Sequence, residues 1–146
     1  MRYKSPIFLF ILLLFPVLAY CQSQVQVVYA DSLNGIQVES SIIKKLIGKV
    51  VLRQGTTTLT CDQAILNSTT NNVEAYGRVK IIQADTVTIT GDSALYNGDL
   101  RQAYMLGRVK LDDHTIVLNT NKLDYDMNTK MAVYHTGAKI LDRKPP

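Results

Sequence analysis

Gly77-Arg78-Val79-Lys80-Ile81 returns as Gly107-Arg108-Val109-Lys110-Leu111, and the same opening stands at Gly48-Lys49-Val50-Val51-Leu52 and at Gly137-Ala138-Lys139-Ile140-Leu141. The four copies begin 29, 30 and 30 residues apart, a constancy that marks a repeat architecture. Within them the period is two. Val50 and Leu52, Val79 and Ile81, and Val109 and Leu111 share one face, while Lys49, Arg78, Lys80, Arg108 and Lys110 take the other. This is the pattern of antiparallel strands with one wet side.

Working outward, Thr86-Val87-Thr88-Ile89-Thr90 alternates strictly, Thr58-Leu59-Thr60-Cys61 does so more briefly, and Ile116 and Leu118 hold the matching places in the next unit. Asp62-Gln63-Ala64-Ile65-Leu66-Asn67 resembles Asp92-Ser93-Ala94-Leu95-Tyr96-Asn97. Asn121-Lys122-Leu123-Asp124-Tyr125-Asp126 continues the series after a one-residue deletion, and Asp31-Ser32-Leu33 is a partial earlier copy. Turn chemistry falls between the strands at Gln54-Gly55, Ser68 to Asn72, Asn97-Gly98-Asp99, Asp112-Asp113 and Met127-Asn128-Thr129. Ser40 to Ile47 is too short and too β-branched for a helix and reads as another strand. Glycine at a fixed place in each strand marks a bulge or bend. The expected fold is therefore all-β: hairpins of about 30 residues stacked side by side, bending at a common column of glycines into two walls, each hairpin buried only against its neighbours.

The chain has 146 residues, enough for one domain. Arg2 and Lys4 precede an apolar run from Ile7 to Leu18, shorter than a bilayer span and placed where export signals lie. Residues 1–21 are expected to be a signal peptide and 22–146 the β-domain. Ala19-Tyr20-Cys21 admits cleavage after Cys21 or a lipidated Cys21, although the bulky Tyr20 fits a lipoprotein box poorly. The whole chain carries a net charge of +4; without residues 1–21, fourteen basic side chains oppose twelve acidic ones, leaving +2. The basic residues look scattered along the chain, which argues against nucleic acid as a partner. Cys61, the one cysteine beyond the leader, has no partner for an internal disulfide and alternates with Leu59 as a small buried hydrophobe.

No catalytic constellation is expected. His114 falls in a turn and His135 beside a corner, far apart in sequence. Asp124 and Asp126 share a face but lack a glycine-rich loop and a third acidic ligand for calcium. Asp62 and Asp92 recur with the repeat, which suits corner capping better than chemistry, and Ser93 sits in no nucleophile elbow. Tyr76, Tyr96, Tyr104, Tyr125 and Tyr134 recur near corners as packing residues. Neither a cofactor nor a metal is expected, and the protein is read as not an enzyme.

With these motifs in order, the chain from about residue 25 to 142 resembles the OstA-like branch of the LptA/OstA family of lipopolysaccharide-transport proteins. The resemblance rests on Tyr29-Ala30-Asp31-Ser32, the units at Gly48, Gly77 and Gly107, Cys61-Asp62-Gln63-Ala64, Glu74-Ala75-Tyr76-Gly77, Thr90-Gly91-Asp92-Ser93-Ala94-Leu95-Tyr96 and Leu123-Asp124-Tyr125-Asp126. It implies a β-jelly roll with an apolar groove between two sheets, a periplasmic location, acyl chains of lipopolysaccharide as ligand, and edge-to-edge joining with itself or with other jelly-roll proteins of an export bridge. Relative to that pattern the fourth unit is incomplete at its C-terminal end. Val50, Leu52, Leu59, Val79, Ile81, Val87, Ile89, Val109, Leu111, Ile116 and Leu118 are the expected lining. Two other classes remain open: a structural or adhesive β-repeat with a filled core, and a carbohydrate-active β-helix, which would need clustered carboxylates where this chain places its acids in turns and corners.

Overall fold

A computed structural model describes residues 23–143; the expected leader and the Cys21 site lie outside the described residues. All regular structure among those residues is strand: β1 (Gln26–Tyr29), β2 (Ser32–Val38), β3 (Ser41–Gln54), β4 (Thr57–Asn67), β5 (Asn72–Gln83), β6 (Val87–Asn97), β7 (Gln102–Asp112), β8 (Ile116–Asp126), β9 (Met131–Tyr134) and β10 (Lys139–Asp142). They form one antiparallel sheet of ten strands in the order β1-β3-β4-β5-β6-β7-β8-β10, with β2 beside β3 and β9 beside β8. From β3 to β8 each strand pairs with its neighbour in sequence, so the stack is a meander. Its two ends are the short strands β1 and β2 at one side and β9 and β10 at the other.

The two expected walls are halves of this one continuous sheet. Every pairing from β3 to β8 breaks register at the same level, between Ile47 and Val50 on β3, Tyr76 and Val79 on β5, and Leu106 and Val109 on β7. There a Gly-Lys or Gly-Arg pair interrupts the ladder as a β-bulge. Gly48, Gly77 and Gly107 take φ of 79°, 77° and 78°, and Lys49, Arg78 and Arg108 follow at 47°, 46° and 46°. Two consecutive left-handed residues turn each strand sharply, and only glycine takes the first position without strain.

An aspartate closes each corner. A Cβ on Gly48, Gly77 or Gly107 would overlap an Oδ2 of Asp31, Asp62 or Asp92, the separation at Gly77 being 2.6 Å. Arg78 then donates to Asp62 through Nε and Nη2, at 3.1 and 2.7 Å, and Arg108 does the same to Asp92, at 3.0 and 2.7 Å. The fourth corner is built differently. Asn121 stands where the aspartate would be, Gly137 has no left-handed φ, and a Cβ there would have no neighbour within 4 Å. Thr120 instead meets Thr136, Oγ1 to Oγ1 at 3.1 Å, and the chain breaks into β9 and β10.

The core lies between the walls. In the first wall (residues 50–61, 79–91 and 109–120) Leu52, Leu59, Ile81, Ile89, Leu111 and Leu118 form one unbroken rung. In the second wall (residues 41–47, 63–76, 93–106 and 122–126) Leu46, Ala64, Ala75, Ala94, Met105 and Leu123 form the rung nearest the corner, and Leu66, Val73, Tyr96, Ala103 and Tyr125 the next. Three alanines sit by the bend and two tyrosines away from it, which fits a wedge-shaped interior.

Candidate functional site

Ten of the eleven expected lining residues are buried in the core between the walls; Ile116, near the hairpin tip, is half-buried and outside that core, and its neighbour Val117 is buried instead. The alternation that assigned them holds on the outward side too, since Lys49, Arg78, Lys80, Arg108 and Lys110 are exposed. Side chains fill this interior. An internal void beside Val25, Leu52, Thr57, Leu59, Val73 and Tyr96 measures about 10 Å3, room for at most one water. Cys61 is part of the same packing: burial pushes its thiol pKa up to about 11, so the group stays protonated and unreactive.

Opposite the glycine corners the walls meet along a seam of hairpin tips, held by a motif the sequence reading missed. Gln54, at the end of β3, accepts from the Tyr96 hydroxyl at 2.5 Å and donates through Nε2 to the Gly98 carbonyl at 2.8 Å. Gln83, at the end of β5, accepts from Tyr125 at 3.2 Å and donates to the Met127 carbonyl at 2.7 Å. Each glutamine thus uses both ends of its amide to join the first wall to the second. Burial raises the pKa of Tyr96 and of Tyr125, keeping both phenols as neutral donors. The recurring tyrosines therefore divide: Tyr96 and Tyr125 close the seam, while Tyr76 and Tyr134 are about half exposed.

The N-terminal residues add a third fastening. The Val25 amide donates to Asn71 Oδ1 at 2.8 Å, the Ser23 carbonyl accepts from Gln54 Nε2, and Val25 packs into the seam. At the two ends of the stack apolar side chains lie open. Leu33, Ile36 and Val38 on β2, Val133 and Tyr134 on β9, and Ile140 and Leu141 on β10 are each about half exposed.

A larger cavity lies outside the core. The outward face of the second wall carries a groove of about 800 Å3, bordered by Leu95, Tyr104, Met131 and Val133 and by Glu74, Asp124 and Asp126. Its acids already have partners: Glu74 accepts from Tyr76, Asp124 meets His135 Nε2 at 2.5 Å, and Asp126 caps the following turn through the amides of Asn128 and Thr129. No group of three or more His, Cys, Asp or Glu side chains placed to hold a metal occurs among the described residues.

The bent meander and its ordered corners are matched among known proteins. The profile of a family described as OstA-like protein matches residues 22–145. The chain belongs to the OstA-like family. Among solved structures it is similar to LptH, described as the LptA-homologous periplasmic component of the lipopolysaccharide transport device of Pseudomonas aeruginosa. The two share 16% sequence identity at a TM-score of 0.72, over 84% of this chain and 96% of that one. At that identity the likeness concerns the fold: this OstA-like chain has the jelly-roll architecture of the LptA type. A comparison with curated protein sequences finds no match.

Proposed function

We propose that this OstA-like protein is an exported lipid-binding bridge segment, taking acyl chains of lipopolysaccharide or a related lipid between its two walls on the way to the outer membrane. The observation that carries the reading is the continuous apolar interior, which runs through six strands of the first wall without a polar interruption in its Leu52–Leu118 rung. Family membership and the fold shared with LptH support it. Because side chains fill the interior, acyl chains enter by parting the walls, and the Gln–Tyr seam is where they part. Affinity would then come from apolar area, at about 25 cal/mol per Å2.

The exposed ends support end-to-end assembly. Strands β1 and β2 at one side and β9 and β10 at the other have unpaired edges and half-exposed apolar side chains, the features that favour strand addition by a second copy or by another jelly-roll protein. Residues 1–21 would direct export to the periplasm, with Cys21 as the site of a lipid anchor if it is retained.

The filled interior also favours a second reading, a structural β-repeat that carries nothing. Mass spectrometry of the protein purified from its exported form separates the two. Acyl lipid recovered in stoichiometric amount supports the carrier. A protein that comes out lipid-free and stays so after incubation with lipopolysaccharide micelles is a scaffold.

A further inference from the structure

The lysines that look scattered along the chain are aligned in space. Pairing of each strand with the next makes one rung across the outward face of the first wall: Tyr29, Val51, Thr60, Lys80, Thr90, Lys110, Asn119 and Lys139 lie opposite one another in that order. Spacings of 30 and 29 residues along the chain each become two strands across the sheet, so the three ammonium groups recur about every 10 Å over a span of about 19 Å. All three lysines are exposed, and none makes an ion pair among the described residues.

Three nearby carboxylates are already taken. Arg78 and Arg108 hold Asp62 and Asp92 at the corners, and Arg143 holds Asp112 at 3.0 Å. The matching rung of the second wall differs: Lys45, Ile65, Glu74, Leu95, Tyr104, Asp124 and Val133 carry two acids and one base. The line of lysines at one level is therefore a feature of the first wall, and the matching rung of the second wall lacks it.

We propose that the outward face of the first wall docks on an anionic lipid surface through Lys80, Lys110 and Lys139. A site for a single phosphate converges several donors on one point. Here the cations are spread in a line, with the Thr90 hydroxyl between the first two, which suits a plane of many phosphates. Half-exposed Tyr29 ends the rung on one side, and Leu141 stands on the same face at the other. Tyrosine settles at the level of lipid headgroups, and an exposed leucine reaches the acyl boundary beneath them. The docking is independent of what the interior carries, and it would lay the stack along the membrane with its seam and ends unobstructed.

The test is co-sedimentation of the mature protein with vesicles of phosphatidylcholine alone or mixed in equal parts with phosphatidylglycerol. Binding is expected only to the anionic vesicles and should weaken steeply with added salt. Each lysine near such a surface contributes about fivefold, so K80Q/K110Q/K139Q should lose roughly a hundredfold in partitioning. K45Q/K122Q/K130Q removes the same charge from the second wall and its turn, and should retain binding. Both triple variants alter exposed side chains only, and their thermal melts check folding; Lys110→Gln alone, expected to lose about fivefold, serves if the triple variant fails. Equal loss in the two triple variants, or equal binding to neutral vesicles, overturns the proposal. So does equal, lysine-dependent affinity for soluble polyphosphate, which would make the face a general polyanion site.

Discussion

A methyl group on Gly77 would stand 2.6 Å from an Asp62 oxygen and would force a side chain into a φ of 77°. Both effects oppose the corner, so Gly77→Ala should destabilise the protein by about 2 kcal/mol in urea unfolding. Gly137 opens the fourth sequence copy in the same way, yet Gly137→Ala should shift stability by less than about 0.5 kcal/mol, because its backbone is not left-handed and nothing is near. The first three corners were legible in the sequence because the glycine and its aspartate both recur. The fourth misled because the glycine was kept and the aspartate was not: Asn121 gives the bend no carboxylate to close it. The corner acids also set a pH limit. The guanidinium groups of Arg78 and Arg108 hold Asp62 and Asp92 below the ordinary value of 3.8, and turn amides do the same for Asp112 and Asp126. A depressed folded-state pKa contributes stability above the ordinary value and loses it as pH falls through the depressed one. Thermal midpoints should therefore hold from neutrality to about pH 5 and fall below about pH 4, less steeply in Asp62→Asn/Asp92→Asn.

At the scale of strands and turns, period-two alternation was enough to assign β3 to β8 and their inward faces, since a half-buried strand has no other way to satisfy both water and core. The Ala84-Asp85-Thr86 turn went unread because it lacks glycine and asparagine; Ala84 and Asp85 nonetheless take φ of 47° and 55° to close the β5–β6 hairpin. The glutamine clasps went unread for another reason. Gln54 and Gln83 are polar residues at strand ends, where sequence alone suggests solvent, and their partners lie 42 residues away on the opposite wall. Tyr96→Phe or Tyr125→Phe would leave a glutamine oxygen without its donor, at about 1–2 kcal/mol each in urea unfolding. If the seam admits lipid, the double variant should also take up a fluorescent fatty acid faster than the parent protein, measured by stopped flow.

For the molecule as a whole, the faces of the sheet carry different duties, and substitutions one residue apart should behave oppositely. Ile89 lies in the middle of the apolar Leu52–Leu118 rung and is 1% exposed. Ile89→Asp would bury an unpaired carboxylate and should leave the protein unfolded by circular dichroism. Thr90→Asp points outward between Lys80 and Lys110 and should leave the melting curve nearly unchanged. The distinction between packing and lining residues was never legible in the sequence, because both need the same side chains. The lysine rung was hidden for a different reason: lysines 30 and 29 residues apart are unremarkable until the strands are laid side by side.

Strand order that follows chain order has a consequence for how such a chain changes length. In a crossed topology, duplicating a segment would sever existing pairings. Here a copy of the 30 residues from Asp62 through Gly91 brings its own hairpin, the Gly77 corner, the Asp62 carboxylate and the seam glutamine Gln83. It would enter the meander by exchanging the pairings at the insertion point for equivalent ones made by the copied residues, and lengthen the stack by two strands, about 10 Å. Gain or loss of repeats can therefore tune reach in fixed steps, like links added to a chain, while every link keeps the same cross-section.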